Sequence, residues 1–180
     1  MLKCLKIILL LLSLVAPATA SAGTLVKLEQ LHHRLRDSDS LISEVVEAER
    51  EAQDQILCIA LNIYHEVRGG SPDHQWAVAF VTTNRTKHQK FPSTPCSVVW
   101  EKNQFVWTKR AIEAILPRER SAWAESQRKA LKVFTGEKMN DPTNGATHFY
   151  QARLNPEWAR RLVDKIRIET HMFARLPGSN

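Results

Sequence analysis

Among the acidic side chains of this 180-residue chain, Glu66 has the setting that acid catalysis asks for. It closes an apolar helical run formed by Ile56, Leu57, Ala60, Leu61 and Tyr64, and it stands just before Arg68-Gly69-Gly70. A carboxylate at a helix C-terminus faces the negative end of the dipole, which raises its proton affinity. An apolar wall raises it further, because desolvation penalises the charged form. A carboxylic acid that keeps its proton near neutral pH can donate it to a glycosidic oxygen. The competing reading is a surface glutamate paired with Arg68 or Arg85.

Other chemistries find less support. The metalloprotease helix needs H-E-x-x-H, so that both imidazoles share one face. After His65-Glu66 the fourth position is Gly69, and the motif is absent. His32, His33, His74, His88, His148 and His171 show no zinc-type spacing, so neither a metal site nor a cofactor is expected. There is no G-x-S-x-G elbow and no Gly-rich phosphate loop. Two segments mix flat apolar faces with amides and hydroxyls, the composition of a ligand cleft. They are Gln104-Phe105-Val106-Trp107-Thr108 and Thr147-His148-Phe149-Tyr150-Gln151. On this reading Gln104, Phe105, Trp107, Thr147, His148 and Tyr150, with Asn84, line a sugar site beside Glu66. The plainer alternative for each aromatic is a place in the core.

Helices dominate the elements that position these residues. The run 54–67 has one apolar face, and Gly69-Gly70 is expected to end it by adopting a positive φ. Ser71-Pro72 restarts a helix, with Ser at the N-cap, Pro at N1, and Ala77, Phe80, Val81 and Asn84 on one face. Phe91–Pro95 reads as a loop, and 96–107 as a short helix followed by an extended segment. Pro117 opens a long helix whose apolar side is Trp123, Ala130, Leu131 and Phe134, with Gly136 as its stop. Asp141–Gly145 is a tight turn, 147–151 is extended, and Asn155-Pro156 caps one more helix. The pattern predicts an α+β domain, mostly helical.

Composition sets the frame. With 43% hydrophobic and 24% charged residues the chain is an ordinary globular one. Its length suits a single domain. Residues 1–22 have the layout of a secretory signal peptide: Lys3 and Lys6, an apolar stretch from Ile7 to Val15, then Ala18-Thr19-Ala20-Ser21-Ala22. An uncleaved anchor is the alternative, although the apolar stretch is short for a permanent span. Cleavage after Ala20 or Ala22 removes two lysines and no acids, lowering the formal net charge from +6 to +4. A mildly basic, exported protein suits an anionic polymer such as cell wall. Dense Lys/Arg runs with interleaved aromatics are missing, so nucleic acid is not an expected partner. Residues 23–53 read as a helical lead-in and 54–180 as the functional domain. Export leaves Cys58 and Cys96 as candidates for one disulfide, with two buried thiols as the alternative.

Several motifs in order then carry a resemblance. Cys58-Ile59-Ala60-Leu61-Asn62-Ile63-Tyr64-His65-Glu66-Val67-Arg68-Gly69, Ala77-Val78-Ala79, Asn84-Arg85, Phe91-Pro92, Cys96-Ser97-Val98-Val99 and Gln104-Phe105-Val106-Trp107 come first. Asp141–Tyr150 and Pro156-Glu157-Trp158-Ala159 follow. Over roughly residues 54–176 this resembles the SleB-like cell wall hydrolases. The resemblance implies a lysozyme-like domain that cuts peptidoglycan glycan strands, with Glu66 as the catalytic acid. His65, Val67 and Gly70 depart from the family's usual residues around it. Glycoside hydrolysis ordinarily takes two carboxylates. Asp73, Glu101 and Asp141 are available as a second, but each reads more simply as a cap, surface or turn residue. A lytic transglycosylase needs only one carboxylate, and a 1,6-anhydro product is the expectation. A hydrolytic muramidase stands second, and a zinc amidase or peptidase and a non-catalytic wall-binding module are the other classes. A monomer in the periplasm, cell envelope or medium is expected. Remodelling of the cell's own wall and a lysis role of the endolysin kind fit the sequence equally.

Overall fold

The computed structural model describes residues 47–138 and 140–178. The signal-peptide reading and most of the 23–53 lead-in lie outside the described residues. Residues 47–67 form one continuous helix, α1, so the end of the expected lead-in belongs to the same element as the apolar run. Four more helices follow: α2 (Pro72–Thr86), α3 (Pro95–Val99), α4 (Ile112–Ile115) and α5 (Arg120–Phe134). A 3-10 turn, Val106–Lys109, lies between α3 and α4. Strands β1 (His148–Gln151), β2 (Val163–Ile168) and β3 (His171–Arg175) form an antiparallel sheet in the order β1-β3-β2. A second 3-10 turn, Glu157–Arg161, leads into β2.

The apolar stripe of α1 supplies Ile59, Ala60, Ile63 and Val67 to the main core, where they meet Ala77, Val78 and Val81 of α2, Ala130 and Val133 of α5, and Phe173 of β3. Ser71 caps α2, its hydroxyl accepting from the His74 N–H at 3.3 Å, and Pro72 follows at the first helical position. The disulfide Cys58–Cys96 ties α1 to α3 across 38 positions of sequence. A loop of that size is stabilised by about 2–4 kcal/mol, mostly through the unfolded chain. Reduction should therefore lower the protein's urea midpoint. Thiol labelling of the denatured, unreduced chain should find neither cysteine free; two labels per chain would contradict the bridge.

Several local expectations need correcting. Gly69 and Gly70 end α1 without positive φ; the Gly70 N–H donates to the Val67 carbonyl at 2.9 Å in a tight turn. Gly70 is needed for close approach instead: a Cβ there would lie 2.7 Å from His74 Nδ1. The expected extended segment before Trp107 is a bend and turn over 101–104, followed by the first 3-10 turn, which contains Trp107; the helix after Pro156 is the second 3-10 turn. The β2–β3 hairpin was not foreseen. Leu131 and Phe134 are exposed on α5; Lys129 is buried in their stead, its ammonium over the Trp76 ring at 5.2 Å and paired with Glu125. The α5 helix begins at Arg120 rather than at Pro117.

Candidate active site

The last turns of α1 build the site, and each polar side chain there fastens a different part of the fold. Asn62 is fully buried and donates to Thr82 Oγ1 of α2 at 3.1 Å. Its carbonyl oxygen faces the Trp107 indole N–H at 3.4 Å. The Tyr64 hydroxyl accepts from the backbone N–H groups of Arg118 and Glu119, at 3.0 and 3.1 Å, and so holds the entry to α5. His65 Nε2 donates to the Ile115 carbonyl at 2.8 Å, and its ring stacks on Trp107 at 4.5 Å. Burial lowers the His65 pKa, as do Arg110 and Arg68, against the effect of the Ile115 bond. With its neighbours tied down, α1 presents Glu66 to a cleft of about 470 Å³, shared with His74, Glu119, Gln151, Glu169 and His171. Burial raises the Glu66 pKa above its ordinary value, opposed by the charges of Arg110 and Arg85.

Arg85, on α2, which the sequence reading offered only as a surface partner for Glu66 and within a motif, is a buried member of the site. It is 5% exposed. Its Nε donates to the Thr147 carbonyl at 2.7 Å and its Nη1 to Gln104 Oε1 at 3.2 Å. The guanidinium lies 5.1 Å from the Phe91 ring centre and 5.4 Å from that of Phe105. Burial lowers its pKa to about 10, with the charges of Glu101 and Glu66 opposing, so it stays cationic at neutral pH. The sequence did contain a signal: Arg85 follows the apolar face of a helix, where an arginine must find partners to be buried.

The predicted site residues divide around Arg85. Gln104, Phe105 and Thr147 touch it directly, and its charge acts on His148. Burial first, then Arg85 and His88, lower His148 to about 4, leaving a neutral imidazole that contacts Thr147 Oγ1 at 3.0 Å. Trp107 is 2% exposed and backs His65 from the core, so it offers no open face to a sugar. Phe105 is likewise buried. Tyr150 is buried with Ala159, Leu162 and Ala174, its edge against Trp158 at 5.4 Å. Asn84 is spent on structure, donating to Asp141 Oδ2 at 2.8 Å and to the Ala146 carbonyl at 3.0 Å. The reason is common to all four: each lies where a second element packs over the surface its own segment would expose. Half-exposed Trp158, beside His148 with ring centres 6.0 Å apart, and Trp100, beside Trp107 with ring centres 5.5 Å apart, do present area to solvent.

The far wall of the cleft is a hydrogen-bonded chain. Glu169 stands at φ 51° in the β2–β3 turn. It accepts from the Ser71 N–H at 2.6 Å and from His74 Nδ1 at 2.9 Å. His74 Nε2 lies 2.8 Å from His171 Nδ1. Hydrogen bonds from Ser71, and then His74, hold Glu169 down to about 2. Burial and the neighbouring His74 lower His171. This chain clamps the hairpin to the start of α2. Among the described residues no cluster of three or more His, Cys, Asp or Glu could hold a metal ion.

Comparison with known proteins agrees with this architecture. Residues 69–174 match the family model described as Cell Wall Hydrolase; the matched stretch begins just after Glu66. The catalytic domain of the germination-specific lytic transglycosylase SleB from Bacillus anthracis is similar at 28% identity and a TM-score of 0.56, over 68% of this chain and 95% of that one. The catalytic domain of the Bacillus cereus SleB protein is similar at the same identity and TM-score, over 68% of this chain and 91% of that one. No curated protein matches.

Proposed function

Because the chain belongs to the cell wall hydrolase family and is a peptidoglycan-cleaving enzyme, we propose that it cuts the MurNAc–GlcNAc β-1,4 bond as a lytic transglycosylase with Glu66 as its single acid–base group. The observation that carries this reading is a carboxyl desolvated at the end of α1, open to the cleft, with its proton affinity raised. The Bacillus anthracis relative's description as a lytic transglycosylase supports the choice of reaction.

The steps follow from that placement. Protonated Glu66 gives its proton to the glycosidic oxygen as the bond from C1 of the muramic sugar breaks. The resulting carboxylate sits in the field of Arg110 and Arg85, which stabilise it. It then takes the proton of the same sugar's C6 hydroxyl as that oxygen bonds to C1. The product is a 1,6-anhydro ring, no water is consumed, and Glu66 ends protonated as it began. The attack is intramolecular and outcompetes water through effective concentration.

One observation favours a second reading, a hydrolytic muramidase. Oε2 of Glu101 is buried without a hydrogen-bond partner among the described residues, and its charge, like that of Glu66, acts on Arg85. Neither other candidate competes. Asp141 is occupied by Thr143, Gly145 and Asn84, and Asp73 lies exposed in the first turn of α2. Glu119 and Glu169, which also line the cleft, are held by Arg68 and by Ser71 and His74, so on this reading Glu101 is the carboxylate that would activate water.

Digestion of purified peptidoglycan in ¹⁸O-water separates the two. A transglycosylase releases muropeptides one water lighter than hydrolysis products, with no label at the muramic C1. Reducible muramic ends carrying ¹⁸O would move the assignment to Glu66 and Glu101 acting together. Export forms part of the same proposal, because the substrate lies outside the cytoplasmic membrane and residues 1–22 have the layout of a signal peptide. No described helix is long and apolar enough to cross a membrane.

A further inference from the structure

A second pocket, of about 280 Å³, adjoins the Glu66 cleft and shares His65, Arg68 and Glu119 with it. Its lining is strongly cationic: Arg68, Arg110 and Arg118 against the single carboxylate of Glu119. Glu119 is already committed, accepting from Arg68 Nε at 2.7 Å. Among the described residues no hydrogen bond or ion pair holds the guanidinium of Arg110 or of Arg118. Their backbones are nevertheless fixed. The Arg118 N–H donates to the Tyr64 hydroxyl at 3.0 Å, and the Arg110 N–H to the Trp107 carbonyl at 3.1 Å. Ala114 and half-exposed Leu116 add an apolar patch beside the charges. The Arg110 and Arg118 side chains are both exposed, so their guanidinium donors are open to a ligand from solvent. A planar bidentate anion suits such a cationic lining, and a carboxylate matches the guanidinium fork.

The position of the pocket identifies which carboxylate. In peptidoglycan the peptide stem hangs from the lactyl ether of the muramic sugar, the sugar whose C1 would react beside Glu66. Arg110 is close enough that its charge is the largest electrostatic influence opposing the rise in the Glu66 pKa. Because the pocket shares His65, Arg68 and Glu119 with the Glu66 cleft, it is placed to receive a stem on the reacting sugar, whose alanine methyls suit the Ala114–Leu116 patch. We propose that the pocket binds a free carboxylate of the substrate's peptide stem through Arg110 and Arg118, so that the enzyme reads the peptide as well as the glycan. This rests on the reading of Glu66 as the acid that cleaves the glycan.

The test separates the two readings. The Glu66→Gln protein is titrated with a synthetic stem tetrapeptide bearing free carboxylates, with the same peptide fully amidated, and with glycerol phosphate, and arginine side-chain NMR shifts are followed. The free acid should bind, weaken with added salt, and lose about tenfold in affinity on amidation or in the further variant Arg118→Gln, the size expected for one charge-assisted pair. Equal binding of acid and amide, no binding of the acid, or preferential binding of glycerol phosphate would overturn the proposal. A second readout uses the active enzyme on strands with stems and on strands stripped of them. The ratio of kcat/KM between the two should fall about tenfold in Arg118→Gln; an unchanged ratio also overturns it. If the wild type cleaves neither strand, the Glu66 reading fails, and the peptide titration still decides the pocket.

Discussion

Replacing Glu66 by Gln should slow release of soluble muropeptides by about 10²–10⁴-fold, the usual contribution of a positioned general acid. Gln keeps the volume and removes the transferable proton. The loss should lie in kcat, because the proton moves in the transition state. The same substitution should stabilise the fold at neutral and alkaline pH. Burial raises the folded-state pKa of Glu66 above the ordinary value, so folding favours the protonated form. Any stabilisation from that group is fully present below the unfolded-state pKa and is lost as pH rises through the raised folded value. Gln never ionises, so the variant's melting temperature should exceed that of the wild type at pH 8, and the gap should close in acid. Wild-type turbidity loss by a folded Glu66→Gln protein would sink the assignment. A melting gap that widens in acid would show that the carboxyl is not desolvated.

Arg85→Met should cost about 3 kcal/mol of stability, a large share of the roughly 5–15 kcal/mol available to a domain. Met fills much of the same channel, but the Thr147 carbonyl and Gln104 Oε1 lose their donors. Glu101, with one oxygen already buried and unpartnered, loses the cation that offsets it. Loss of the charge also changes the chemistry. Arg85 opposes the rise in the Glu66 pKa, so its removal should raise that pKa further. Cleavage needs protonated Glu66, and activity falls as pH rises through its pKa. The alkaline limb of the pH–rate profile should therefore move to higher pH in whatever fraction remains folded. Arg85→Lys keeps the charge and should restore the limb without restoring the two hydrogen bonds. A limb that stays put in Arg85→Met would remove Arg85 from the electrostatics of the acid.

What the sequence determined by itself is local. The apolar run from Ile56 to Tyr64 places Glu66 at the end of a helix, because 3.6-residue periodicity needs nothing beyond the helix itself; the core side differs from the expected one, since Ile59, Ala60, Ile63 and Val67 are buried in the main core and Leu57 is exposed. Ser71-Pro72 starts α2 and Asp141–Gly145 turns, because caps and Asx turns are closed by neighbours in the chain: Asp141 accepts from Thr143 and Gly145 within its own loop. The α+β class and the cell wall hydrolase family were legible for the same reason, as ordered short motifs. Tertiary structure decided which side chains those elements bring together. Arg85 meets Thr147 across 62 positions and His74 meets His171 across 97, and no local window contains both partners. The β2–β3 hairpin was hidden because only two residues of β2, Ile166 and Ile168, are even partly buried, which leaves little hydrophobic alternation to read. Phe105, Trp107 and Tyr150 have the composition of a sugar wall, yet they are core. Aromatic type records only that apolar area will be buried; whether protein or substrate covers it depends on what the rest of the chain lays over them.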